Sequence, residues 1–303
     1  MLAAVALLLL ADVTAHHGAG GRPAECNALP GERGANVWER AKIPDLQHYC
    51  DLLASGAAKL SPGSRSANDV VALAERAEHL VPGRAATCIL RGRALAQLGK
   101  YADALVALRD AKSRDERALD EPTALFALAR SLASTGDAAA AHEAFRELLP
   151  RTSALPLADR SVAYLAAAML VMSTGPTGLD ETIAILRQAR RDSQDLLRSA
   201  ATLALALALD RAGDAREASA ILAEEAIAAP KSILESTRVL DAMGRTGAVE
   251  SAAIEALALE TLGKRDAARA AWQTYVAAVP GGVWEAHAKA HLAARGPATA
   301  RHP

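Results

Sequence analysis

The chain has 303 residues, of which 51% are hydrophobic but only 3% aromatic. Its apolar content is therefore mostly alanine and leucine, strong helix formers, and the shortage of aromatic and β-branched residues argues against sheets. With 34 basic residues against 35 acidic ones and a net charge of −1, it lacks the concentrated basic surface that a nucleic-acid partner requires.

Residues 1–10 form an apolar run that leads into Ala11, Asp12, Val13, Thr14 and Ala15. The run is shorter than the roughly 20 apolar residues of a membrane span. It fits a secretory signal over residues 1–15, with Val13 and Ala15 as the small residues before a cut, although no Lys or Arg precedes it. An ordinary N-terminal helical segment is the alternative. Export would place the mature chain in the periplasm or outside a bacterial cell, and the alanine-rich composition suits a high-GC bacterial genome. Residues 16–34 read as a disordered segment. Three cysteines are present, Cys26, Cys50 and Cys88. In an oxidising compartment Cys26 and Cys50 could pair and leave Cys88 as a buried apolar residue. Spacing alone leaves that pairing open.

Residues 35–84 read as an irregular capping hairpin. Its second helix spans 67–81 and is closed by Pro82 and Gly83, and its first lies within 38–59, broken near Pro44. From residue 85 onward the pattern becomes helix, glycine-marked turn, helix. The turn glycines are Gly99, Gly136, Gly175, Gly213 and Gly263, separated by 37, 39, 38 and 50 residues. Each follows an apolar stretch, as a glycine at a helix C-terminus does. A small residue recurs seven places before each glycine (Gly92, Ala129, Ala168, Ala206, Ala256) and a larger aliphatic four places before (Leu95, Leu132, Val171, Leu209, Leu259). Small residues let the two helices of a hairpin approach, and large ones fill the space to the next. The wide spacing before Gly263 leaves room for an extra short helix over 232–243. Residues 283–295 read as a closing helix over the last apolar face, and 296–303 as a disordered tail.

This pattern, strongest over 85–118, 199–232 and 249–282, resembles the tetratricopeptide repeat family, with Leu98, Gly99, Lys100, Tyr101, Ala102, Asp103, Ala104 and Leu105 closest to its consensus. The resemblance covers about five repeats over 85–282. It implies an α-solenoid of stacked helical hairpins in a right-handed superhelix, a non-catalytic scaffold that binds another protein along its concave face. The sequence departs from the family in the insertion after Gly175 and in Arg91 and Glu255, which stand at expected apolar positions.

No motif supplies catalytic chemistry. Gly99-Lys100 lacks the upstream glycine of a phosphate loop, His142-Glu143 lacks the second histidine of a zinc protease, and no serine sits in a Gly-x-Ser-x-Gly elbow. No cofactor is expected. His287 and His291 lie four residues apart on the closing helix, spacing that lets both face one metal. No third ligand stands at helical spacing, so they are read as surface histidines and no metal is assigned.

The implied binding surface follows from the first helix of each hairpin. Positions six and ten before the turn glycines place Arg93, Ile89, Arg130, Phe126, Met169, Leu165, Leu207 and Leu203 on the concave side. Arginine can hold a carboxylate through two hydrogen bonds, and methionine adapts to varied shapes. Such a groove suits a partner segment with an acidic end and apolar side chains. The competing readings are that the aliphatics pack one hairpin on the next, that the arginines pair with neighbouring acids, and that the chain acts as an envelope assembly component through its outer faces.

Overall fold

The computed structural model describes residues 23–26, 45–60, 66–228, 232–241 and 245–294. The apolar run over 1–15, most of the 16–34 segment and the 296–303 tail lie outside them. Among the described residues the chain is all-helical, with fourteen α-helices and no strand. They are α1 Leu46–Lys59, α2 Ala67–Leu80, α3 Ala85–Gln97, α4 Tyr101–Arg114, α5 Pro122–Thr135, α6 Ala138–Leu148 and α7 Leu157–Thr174, followed by α8 Leu179–Asp192, α9 Asp195–Arg211, α10 Ala215–Ala228, α11 Ser232–Asp241, α12 Arg245–Thr261, α13 Arg265–Ala278 and α14 Glu285–Ala294. None is long and apolar enough to cross a membrane.

The turns form for a local reason. Gly99 and Gly213 have φ of 74° and 88°, a left-handed conformation that side chains resist. It lets Lys100 N–H donate to Leu95 C=O and Asp214 N–H to Leu209 C=O, both at 2.9 Å. These bonds satisfy the last helix carbonyls and reverse the chain. The large aliphatic four places before the glycine is thus the carbonyl partner of the turn at Gly99, Gly136, Gly213 and Gly263, whereas Pro176 after Gly175 has no N–H to donate.

The chain divides into two compact units between Leu128 and Ala129, inside α5. In the first unit α1 packs on α2, α2 on α3 and α3 on α4. Tyr49, Leu52, Leu53, Val70 and Leu90 fill its core. Close approach is built from small residues: a Cβ on Gly92 would lie 2.6 Å from Leu108 Cγ. A helical turn at Ala24–Cys26 is tied to α1 by a disulfide between Cys26 and Cys50, with Cα atoms 5.7 Å apart. Beside it Tyr49 donates its hydroxyl to Glu25 at 2.9 Å.

In the second unit α7 pairs with α8, α9 with α10 and α12 with α13, and α11 packs on both α9 and α12. The first helices of these hairpins, α7, α9 and α12, also pack against one another in all three combinations. That mutual packing is absent from an open row of hairpins, where each unit meets only its neighbours. It follows from composition. Residues 199–209 of α9 are buried without a break, and a helix apolar all round must be covered all round.

The expected apolar groove is corrected here. Leu165, Met169, Leu203 and Leu207 are 0–1% exposed and belong to one continuous core with Leu257, Trp272 and Trp284. The three inner helices close over one another and leave these side chains no surface.

Candidate functional site

Of the remaining concave-face residues, Phe126 is buried and Ile89 half-buried in the first unit. Arg93 and Arg130 are half-exposed, and each is engaged with neighbours inside the protein. Two of the polar groupings that the fold does bring together lie in the second unit.

The first is a hollow of about 590 Å³ between α8, α9 and α10, lined by Arg187, Arg190, Arg191, Arg198, Leu205, Glu217 and Glu224. Arg187 Nη2 donates to both carboxylate oxygens of Glu217 at 2.8 and 3.0 Å, and Arg190 pairs with Glu224 at 3.2 Å. Arg191 and Arg198 are exposed, and neither has an acidic partner among the described residues. Four guanidinium groups against two carboxylates leave the wall net positive.

The second is a cluster of histidines and carboxylates. His287 and His291 sit one turn apart on α14, with side chains 19% and 17% exposed. They are not surface histidines, which corrects the expectation. The Nε2 atoms of both rings lie 2.9 Å from the same atom, Asp210 Oδ2. His291 Nδ1 faces Glu260 Oε2 at 3.2 Å, and Trp272 Nε1 donates to the other Glu260 oxygen at 3.0 Å. Trp272 also stacks on His291, with ring centroids 4.6 Å apart. His287 Nδ1 is buried without a hydrogen-bond partner.

Asp210 and Glu260 are each the penultimate residue of their helix, α9 and α12. Two carbonyl-rich helix ends, with their negative dipole ends, therefore meet at the cluster. Burial alone would lower the pKa of His291. Hydrogen bonds to Asp210 and Glu260 outweigh it and push the ring up to about 9. Burial would likewise raise Asp210, but hydrogen bonds from His287 and His291 hold its carboxyl well below the usual carboxylate range.

Behind the cluster runs a layer of buried charge. Arg211 Nη1 lies 2.7 Å from Glu250 Oε2, with side chains 0% and 2% exposed. Arg211 Nη2 donates to the Tyr275 hydroxyl at 3.0 Å, and its guanidinium sits 4.6 Å over the Trp284 ring. Trp284 Nε1 in turn donates to the Met172 carbonyl at 2.8 Å. Burial pushes Glu250 upward against the pull of Arg211, and pushes the Tyr275 hydroxyl up to about 12.

Asp210 escaped a search by helical spacing because it lies on a different helix from the histidines. A signal was nonetheless present. Asp210 and Glu260 both stand three places before a turn glycine, where the earlier repeats carry Ala96, Ala133 and Met172. Together Asp210, His287 and His291 offer one ligand atom each, all within 4.8 Å of one another, the donor set of a divalent metal site. Compared with known proteins, the chain matches no family model and no curated protein.

Proposed function

We propose that this chain is an exported, non-catalytic scaffold of tetratricopeptide-like helical hairpins that binds an acidic segment of a partner protein. The observation that carries the reading is the arginine-lined hollow on α8, α9 and α10. Arg191 and Arg198 supply exposed guanidinium groups for carboxylates. With the apolar strip buried, this hollow takes its place as the binding surface in the proposal. The recurrence of hairpins with left-handed glycine turns supports the resemblance to the family, and the Cys26–Cys50 bridge suits an oxidising compartment.

The test is affinity capture from a lysate of the source organism, with Arg191→Glu and Arg198→Glu combined in one variant. Neither residue is buried, so the fold is expected to survive and the affinity for a captured acidic protein to fall at least tenfold. Charge-assisted contacts also predict that binding weakens as salt rises. A partner that binds the double reversal as tightly as the wild type would remove the hollow as the binding site.

A further inference from the structure

The histidine and carboxylate cluster is not used by the scaffold reading, and its chemistry points elsewhere. We propose that Asp210, His287 and His291 bind a divalent transition-metal ion, zinc foremost, with Glu260 as the outer carboxylate that orients His291. Two imidazoles and one carboxylate suit zinc and its first-row neighbours. Calcium and magnesium take oxygen ligands and fit this set poorly.

The spacing is that of ligands drawn together by hydrogen bonds. Both Nε2 atoms stand 2.9 Å from Asp210 Oδ2. Two ligands around a tetrahedral zinc with bonds of about 2.0–2.1 Å lie ~3.3 Å apart. Widening those two distances by a few tenths of an ångström brings Asp210 to ligand spacing, and all three ligand atoms already lie within 4.8 Å of one another.

The surroundings are those of a metal site as well. A ligating histidine donates its other ring N–H to a carboxylate, which fixes the tautomer. Glu260 occupies that position on His291 Nδ1, and Trp272 N–H fixes the far oxygen of Glu260. Charge balance agrees. The Asp210 and Glu260 side chains are 10% and 5% exposed, and nearby Arg211 and Glu250 neutralise each other. A divalent ion with two neutral imidazoles would cancel the two remaining carboxylates. The ends of α9 and α12 add their negative dipoles on the same side. The outer support is one-sided: His287 Nδ1, the ring nitrogen turned away from Asp210, has no hydrogen-bond partner of its own. With three protein donors, one position remains for water or an outside ligand.

The experiment uses the full chain, stripped with a chelator and titrated with zinc against a chromophoric competitor. One equivalent is expected to bind. His287→Gln and His291→Gln should each weaken that site at least a hundredfold, and Glu260→Gln about 10–100-fold, as expected for an outer carboxylate. Circular dichroism of each variant checks its fold. A measurement on the wild type avoids dependence on the variants: histidine modification by diethyl pyrocarbonate, mapped by mass spectrometry with and without zinc. Protection of His287 and His291 together supports the site. Their continued modification in saturating zinc, protection confined to other histidines, or no binding at neutral pH would overturn it. Unchanged affinity in Glu260→Gln would remove that residue from the proposal.

Discussion

A charged group in the first unit and one in the second differ in how far they are removed from water. In the first, Arg114 Nη1 reaches both oxygens of Glu78 at 2.8 and 2.9 Å, and its Nη2 reaches Asp110 at 2.9 Å. The Arg114 and Glu78 side chains are 24% and 32% exposed, so water can replace every partner. In the second, the Arg211–Glu250 pair has no such access, and aromatic rings close over the guanidinium. The contact types are alike, but their consequences are not. A half-exposed ion pair contributes little because solvent screens it. A buried pair adds little net stability, yet removing one member strands a charge away from water.

The comparison breaks most sharply at Arg211. Arg211→Ala is expected to destabilise the second unit by about 3–5 kcal/mol, because Glu250 would be left buried without its cation. Replacing both residues, Arg211→Met with Glu250→Leu, should recover most of that loss. Urea denaturation of the two variants decides the point. Equal destabilisation by the single and the double change would show that packing against Trp284, not charge, is what Arg211 supplies.

Leu207→Ala comes next, with an expected cost of about 2–5 kcal/mol for a fully buried leucine. A groove role would predict near-normal stability and a binding defect instead, so thermal unfolding separates the two. Leu207 also shows what the sequence could reveal. The left-handed glycine turns and the short helix α11, implied by the long interval before Gly263, were legible because they are local features. Contact between α7 and α12 was not, since nothing in a repeat pattern states which hairpins meet beyond their neighbours. The warning lay in α9 itself. Residues 199–209 hold no charged side chain on any face, and a helix lining an open groove keeps one polar side. The His287 and His291 pair was visible by its spacing. Asp210 required the repeat phase, which places the ends of α9 and α12 at equivalent positions.

The first unit predicts smaller effects. Arg114→Ala should cost about 1 kcal/mol or less, the range of a screened pair, and a larger loss would put the cluster in the same class as Arg211–Glu250.

Cys88 tests the electrostatics of this cluster most finely. Its Sγ donates to Asp110 Oδ2 at 3.1 Å, and burial together with that hydrogen bond pushes the thiol up to about 11. An unconstrained thiol titrates near ~8.5. Because the thiolate is the reactive form, alkylation of the folded chain at pH 8 should be far slower than that of a free thiol. The sign for stability follows from which state ionises first. Below ~8.5 both states hold the proton and the contribution is intact; as pH climbs from there towards 11 the unfolded chain loses its proton more readily, and stability falls. Asp110→Asn keeps the shape but removes the negative charge beside the sulfur, so it should lower the thiol pKa and speed alkylation at pH 8 to 9. The same slow rate in Asp110→Asn would assign the shift to burial alone, while rapid reaction of the wild type would mean that Cys88 is reached by solvent in the folded unit.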